Sequence, residues 1–384
     1  MELKTLEFVD KAWTIPLNDL SNMDSKQTLI LVFADNQLAE LAKQIEQINH
    51  VFSEATIIGG STASEILGAE VKEESIALAI IQFDKSSVFS VKEKVENFNN
   101  STDIAKSIGQ KLLQQAHKIK QPLQGVFVLS DGLNVNGTHL VNGLNEALPN
   151  TLITGGAMGD GSRFKTTFTL DQSVWATNEV VAVGFYGDSI ELSHGSKGGW
   201  DVFGPERIVT KSTDNIVYEI DNKPALDLYK TYLGELATDL PSSGLLFPIA
   251  IINDDGTKIV RTLIGIDENT NAIIFVADVA EGSKVQLMKA NFDRLIDGAY
   301  SAAELTNWGN LSGNQPTLSI AVSCVGRLLV LKGRIEEEVE ATLEALPDNT
   351  QQIGFYSYGE ISPIANGTCS LHNQTMTLTT IREN

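Results

Sequence analysis

The chain has 384 residues, more than one hydrophobic core usually organises, so two domains are expected. A net charge of -21 argues against nucleic acid or an anionic membrane surface as a partner, because both repel an acidic protein. Two cysteines, Cys324 and Cys369, make no disulfide framework, and no apolar run is long enough to span a bilayer, so a soluble cytoplasmic protein is expected.

The N-terminus, Met1 to Asp10, lacks the basic patch and apolar run of a secretory signal. A phrase of strand, helix and glycine-broken strand then begins at Thr28-Leu-Ile-Leu-Val-Phe and ends at Ile57-Ile-Gly-Gly-Ser-Thr-Ala-Ser-Glu-Ile. Leu38, Leu41, Ile45 and Ile48 place one apolar stripe on its helix. A helix is predicted over Asp103 to Ile119, with Ile104, Ile108, Leu112 and Ala116 in register. The phrase recurs from Gly125-Val-Phe-Val-Leu-Ser to Ile153-Thr-Gly-Gly-Ala-Met-Gly-Asp, around a helix bearing Leu140, Leu144, Ala147 and Leu148. It recurs a third time from Thr317-Leu-Ser-Ile-Ala-Val to Ile353-Gly-Phe-Tyr-Ser-Tyr-Gly-Glu-Ile, around Ile335, Val339, Leu343 and Leu346. The second and third helices both end on Ala-Leu-Pro, where proline stops the helix. Extended segments follow each break, at 75–83, 180–185 and 375–381. The expected fold class is therefore α/β: repeated βαβ-plus-strands units, with mixed sheets flanked by helices.

Between the second and third copies lies a stretch that does not align with the repeats. It is predicted to hold a helix at 224–233 and strands at 245–252, 259–266 and 272–278, and a second helix at 291–305 precedes the third copy. Glycine and polar residues at Ser193 to Gly199 suggest a boundary there.

Glycine breaks after buried strands are where α/β folds place ligands, so Gly59-Gly60, Gly155-Gly156 and Gly354 are read either as ligand loops or as tight turns. None matches a P-loop or dinucleotide fingerprint. Gly59-Gly-Ser-Thr-Ala63 comes within one residue of a nucleophile elbow, with His372 downstream. The copies carry Ala157 and Tyr356 where the first has Ser61, which weakens a hydrolase reading. The five histidines, His50, His117, His139, His194 and His372, form no zinc pattern. Covalent haem attachment lacks its motif, whereas a non-covalent haem needs only one axial side chain and an apolar slot.

The densest polar constellation is C-terminal: Gly354 to Glu360, then Gly367 to Thr377. It can orient a small polar ligand, or satisfy itself as a buried network. Period-two alternation puts Tyr356, Tyr358 and, if the strand persists, Glu360 on one face. The same rule groups His372 with Gln374, and Asn373 with Thr375. Arg327 follows a strand end, and Arg261 sits in an otherwise apolar strand; each should meet a carboxylate of the protein or of a ligand.

Ile58-Gly-Gly-Ser-Thr-Ala-Ser-Glu-Ile, Gly155-Gly-Ala-Met-Gly-Asp-Gly-Ser-Arg-Phe164, Ser323-Cys-Val-Gly-Arg327, Gly354 to Ile361, His372-Asn-Gln-Thr-Met-Thr377 and Ile216-Val-Tyr-Glu-Ile-Asp-Asn-Lys-Pro-Ala225 together resemble the FIST family. The resemblance covers nearly the whole chain as two related halves, a FIST N-like domain at 1–195 and a FIST C-like domain at 196–384. It implies a sensor of small ligands, amino acids among them, that signals to a separate partner such as a histidine kinase. One branch of the family resembles haem-based nitric oxide sensors, and His372 stands where the iron ligand would be carried. The residues expected at a ligand are Gly60, Ser61, Gly156, Asp160, Arg261, Arg327, Phe355, Tyr356, Tyr358, Glu360, Asn373 and Thr375. The reading from another class is a hydrolase using Ser61 or Glu360, each needing a base within reach.

Overall fold

A computed structural model describes residues 1–254, 256–306, 315–364 and 367–384. All three copies of the repeat are present as folded units. Each begins with two parallel strands joined by helix: Thr28–Ala34 with Thr56–Ser61, Leu123–Ser130 with Leu152–Ala157, and Thr317–Cys324 with Thr350–Ser357. The connecting helices are Leu41–Val51, Gly137–Ala147, and the pair Val325–Leu331 and Ile335–Glu344. A third strand adds antiparallel beside the first in every unit, at Ile76–Gln82, Glu179–Tyr186 and Met376–Glu383. A fourth follows outside it, at Glu2–Val9, Ser87–Lys94 and Ile190–Lys197. The central strands are buried along their whole length because both faces are covered, which explains their unbroken apolar sequence.

The units are not separate. Each sheet is completed by a hairpin that leaves another unit. The hairpin of Glu65–Leu67 and Glu70–Lys72 leaves the first unit and pairs with Thr350–Ser357 of the third. The hairpin of Thr169–Asp171 and Val174–Ala176 leaves the second and pairs with Thr56–Ser61 of the first. The hairpin of Gly359–Pro363 and Cys369–His372 leaves the third and pairs with Leu152–Ala157 of the second. This cyclic exchange closes three mixed sheets around one shared core. Phe33, Phe127, Phe185, Val322 and Phe355 all belong to it, and the rings of Phe33 and Phe355 meet at 4.5 Å between centroids. Helices cover the outer faces with separate apolar clusters.

The glycine breaks have one geometric cause. Gly59, Gly155 and Gly354 sit opposite Val32, Val128 and Ala321 of their parallel partner strands. A Cβ on them would lie 1.9, 1.8 and 1.9 Å from the carbonyl oxygens of those residues. Only glycine permits so close an approach of two backbones.

Between the second and third units the chain forms a β-rich insertion, from Asp201–Thr213 through Lys284–Lys289, around the helix Ala225–Leu233. The strand expected over 245–252 is only Ile249–Ile252. A 3-10 helix, Ser242–Leu246, precedes it, and Pro248, which lacks an N–H, separates the two. The strand expected over 259–266 divides at Thr262 into Lys258–Arg261 and Leu263–Asp267, which pair with different neighbours. Residue 195, where the first half was expected to end, lies inside the strand Ile190–Lys197, paired along its length with Met376–Glu383. No helix among the described residues is long and apolar enough to cross a membrane.

Candidate functional site

The three glycine breaks converge. Immediately after them, the N–H of Ala63 donates to the carbonyl oxygen of Tyr356 at 2.9 Å. The N–H of Gly159 donates to that of Ser61 at 3.0 Å, and the N–H of Tyr358 to that of Ala157 at 3.0 Å. Each bond runs from one unit to the next, so the three close a ring. Ala63, Gly159 and Tyr358 are thus equivalent positions, as are Ser61, Ala157 and Tyr356. The register of the exchanged hairpins extends the equivalence: Glu65 faces Lys72 as Glu360 faces His372 and Thr169 faces Ala176.

Beside this ring opens a cleft of about 410 Å³. Ala63, Ser64, Val71, Lys72 and Glu73 of the first unit form one wall, Gly161 and Ser162 of the second close an end, and Val325, Leu328, Leu329, Lys332 and Ile335 of the third form the other wall. The floor is apolar. Lys72 is engaged by Glu7 at 2.7 Å and Glu70 at 2.6 Å, whereas Lys332 is exposed.

The two symmetry counterparts of this cleft are filled. In the second unit the loop after Gly159 folds over the ring. The Asp160 carboxylate accepts the N–H groups of Phe164, Lys165 and Thr166 and the hydroxyl of Tyr358. Arg163 reaches Asp35 and Asn36 of the first unit, both at 3.0 Å. In the third unit, larger residues replace those of the open cleft: Tyr358 stands where the cleft has Ala63, and Leu371 where it has Val71. Leu371 packs so closely on Gly137 and Gly359 that a Cβ on either would meet it at 2.9 or 3.0 Å.

The residues expected at a ligand are all buried, and none lines the open cleft. Gly60, Gly156 and Phe355 lie within the sheets next to the ring. The Ser61 hydroxyl accepts the N–H of Phe168 at 3.1 Å and is shut from solvent. Arg327 meets a protein carboxylate, Glu338, and donates further to the carbonyl oxygens of Gly198 at 2.5 Å and Leu295 at 2.8 Å. The Tyr356 hydroxyl donates to the same Glu338 at 2.9 Å. Arg261 donates to the carbonyl oxygens of Asp278 and Leu371, and burial brings it down to about 10, so it stays charged at neutral pH.

Tyr356, Tyr358 and Glu360 do not share a face. The strand ends at Ser357 and the chain resumes at Gly359 in a different sheet. The side chains therefore diverge, Tyr356 to Glu338, Tyr358 to Asp160, and Glu360 to Ser357 and Thr375. Asn373 and Thr375 also part: Thr375 holds Glu360 through its hydroxyl and N–H, while neither amide atom of Asn373 has a protein partner. Gln374 between them has φ +62°, which ends the alternation.

Two carboxyls occupy equivalent places in the exchanged hairpins. Glu65 accepts from Thr62 and, at 2.7 Å, from Ser75; Glu360 accepts from Ser357 at 3.1 Å and the Thr375 hydroxyl at 2.7 Å. Burial pushes Glu65 up to about 8 and Glu360 up to about 7. In the second hairpin the pair is reversed: the hydroxyl is Thr169 and the acid is Glu179, 3.4 Å apart, again raised by burial.

An axial haem ligand needs a free ring nitrogen facing an apolar slot. Nε2 of His372 faces the Ser362 carbonyl oxygen at 2.9 Å, the ring is 6 % exposed, and burial brings it down to about 4, so it is neutral. The open cleft contains no histidine. These surroundings do not fit an iron site.

Sequence reasoning missed the cleft residues. Ala63, Ser64, Gly161, Ser162 and Val325 stand within the quoted motifs but were not singled out. Lys72, Glu73, Leu328 and Lys332 carry no local signal, because hairpin exchange and the packing of a short helix bring them together.

Residues 28–223 match the FIST N domain family and residues 225–363 match the FIST C domain family. The chain is 26% identical over 268 residues to an uncharacterized protein of Mycobacterium tuberculosis, covering 66% of each. It is 25% identical over 359 residues to an uncharacterized protein of Methanocaldococcus jannaschii, covering 83% of this chain and 66% of the relative. An uncharacterized protein of Mycobacterium bovis is 27% identical over 270 residues, again 66% of each. The match thus spans just under two thirds of each relative's length.

Proposed function

The chain belongs to the FIST family, whose domains are small-ligand sensors of signalling proteins rather than enzymes, and on that premise we propose that it senses a small ligand in the cleft beside the three-unit ring. The observation that supports this reading is the cleft's position. Among the described residues it is the open one of three equivalent grooves, and all three units contribute to its walls. A molecule bound there touches every unit at once, so its binding energy can favour one arrangement of the ring over another. The occupant is a small amphipathic molecule, with an apolar part against Val325, Leu328 and Leu329 and a charged group near Lys332. Amino acids and related small carboxylates suit that lining. The signal passes to a separate protein, for which a histidine kinase is the expected class. The free, buried cysteines Cys324 and Cys369 suit a reducing cytoplasm.

Thermal-shift screening of the purified chain against amino acids and small carboxylates tests this. Leu328→Trp should fill the cleft and abolish the stabilisation while leaving the unliganded melting temperature nearly unchanged. Stabilisation that survives Leu328→Trp places the ligand elsewhere. A Soret band on haem reconstitution, lost in His372→Ala, would favour the haem-sensing reading instead.

A further inference from the structure

Glu65 stands at the foot of the first exchanged hairpin. That hairpin carries one wall of the cleft: Ala63 and Ser64 lie just before Glu65, and Val71, Lys72 and Glu73 at the hairpin's other end. The carboxyl is 2 % exposed and, among the described residues, has no cationic partner. It accepts the hydroxyls of Thr62 and Ser75 and the backbone N–H of Ser75.

The charges around it do not neutralise it. The charge of Asp35 opposes its ionisation; the Asp35 carboxylate is itself held by Arg163 at 3.0 Å. Lys72, directly opposite in the hairpin register, is turned to Glu7 on the neighbouring N-terminal strand and to Glu70. From the strand on the other side, Glu65 faces only Phe355. Glu73 lies on the cleft side of the hairpin. An ionised carboxylate in such a place must gain water or a cation, and the hairpin must move to admit either.

We propose that this hairpin is a proton-controlled latch: the protonated Glu65 carboxyl seats the cleft wall against the third unit, and release of the proton unseats it. The shape of the cleft, and hence its ligand affinity, is then linked to pH. The latch rests on the cleft being the ligand site, but the movement itself is independent of any ligand. Glu360 serves as the internal control. It has the same setting in the third hairpin, where no open cleft adjoins it among the described residues. The second hairpin has Thr169 at this place, and the acid that meets it, Glu179, stands on a neighbouring strand instead.

Hydrogen exchange of the full chain without ligand, followed by mass spectrometry from pH 6 to pH 9.5 and corrected for intrinsic exchange, tests the latch. Protection of residues 65–73 should fall by up to tenfold per pH unit below the midpoint, where the unseated carboxyl is ionised and the seated one is not, and should level off above it, as one-proton linkage requires. Glu65→Gln should abolish this dependence, and Glu360→Gln should leave it in place. Ser75→Ala, which keeps the acid but removes a bond that favours its charged form, should move the midpoint upward, and it covers the case in which Glu65→Gln does not fold. Protection independent of pH in the wild-type chain, a dependence that persists in Glu65→Gln, or a midpoint unmoved by Ser75→Ala overturns the proposal. Because no ligand is used, failure here leaves the sensor reading standing, and failure of the ligand screen leaves the hairpin's proton-linked movement standing.

Discussion

Gly354→Ala tests the close backbone approach that the glycine breaks share. The added Cβ would lie 1.9 Å from the carbonyl oxygen of Ala321, where ordinary contact begins at 3.4 Å. The difference, 3.4 minus 1.9, requires the Thr317–Cys324 and Thr350–Ser357 strands to part by about 1.5 Å locally, enough to break the ladder there. Loss of two backbone hydrogen bonds costs about 2 kcal/mol, and forcing a methyl into a closed core adds about 1–3 kcal/mol. The expected destabilisation is about 3–5 kcal/mol, read from urea denaturation by far-ultraviolet circular dichroism. Gly59→Ala should cost a similar amount, because its Cβ would meet the Val32 oxygen at the same 1.9 Å. Gly155→Ala should cost more, because its φ of +144° strains any side chain in addition. Gly333→Ala, where a Cβ meets nothing within 4 Å, is the control and should be neutral or slightly stabilising. A loss below about 1 kcal/mol in Gly354→Ala would refute the close-approach explanation of the repeat.

Three further outcomes follow from buried groups. Glu360 binds its proton in the native state up to about pH 7, whereas an unfolded glutamate releases it near 4.5. The native state therefore holds more protons in that window, and stability falls as pH rises through it, by about 3 kcal/mol at 1.36 kcal/mol per pH unit. In urea titrations, Glu360→Gln should reduce the loss of stability between pH 5 and pH 8 by about 3 kcal/mol and leave the part due to Glu65; an unchanged loss contradicts the assignment. Arg327→Met should cost about 3–5 kcal/mol by leaving Glu338 buried and unpaired, and adding Glu338→Met should recover more than half of it. Asn373→Leu removes an amide with no protein partner, so the melting temperature should rise; a fall would mean that ordered water or a ligand satisfies the amide.

The repeat was legible because it is written in local chemistry. Apolar strands, helix stripes and glycine breaks are properties of contiguous residues, and the strands and helices of each unit stand close to where the pattern puts them. The insertion was less legible. A run such as Leu245 to Ile252 reads as one strand until Pro248 is given its missing N–H. The exchange of hairpins was not legible at all, since nothing near Glu65 says that its strand pairs with Phe355 almost three hundred residues away. That single fact also hid the cleft. Lys72 and Leu328 are ordinary surface and helix residues in sequence, and they meet only because the first hairpin lies on the third unit.

The same exchange explains why the densest polar constellation was a poor guide to the cleft. Tyr358, Glu360, His372 and Asn373 occupy, in the third hairpin, the places that Ala63, Glu65, Lys72 and Glu73 occupy in the first. The richer set of side chains fills its groove and satisfies most of itself. The plainer set leaves a groove open. Within this closed ring of equivalent units, open space remains where side chains are small, and polar density marks the grooves that have been filled. In this chain the informative residues were therefore Ala63 and Val71, whose small size against Tyr358 and Leu371 is what leaves one groove of three accessible.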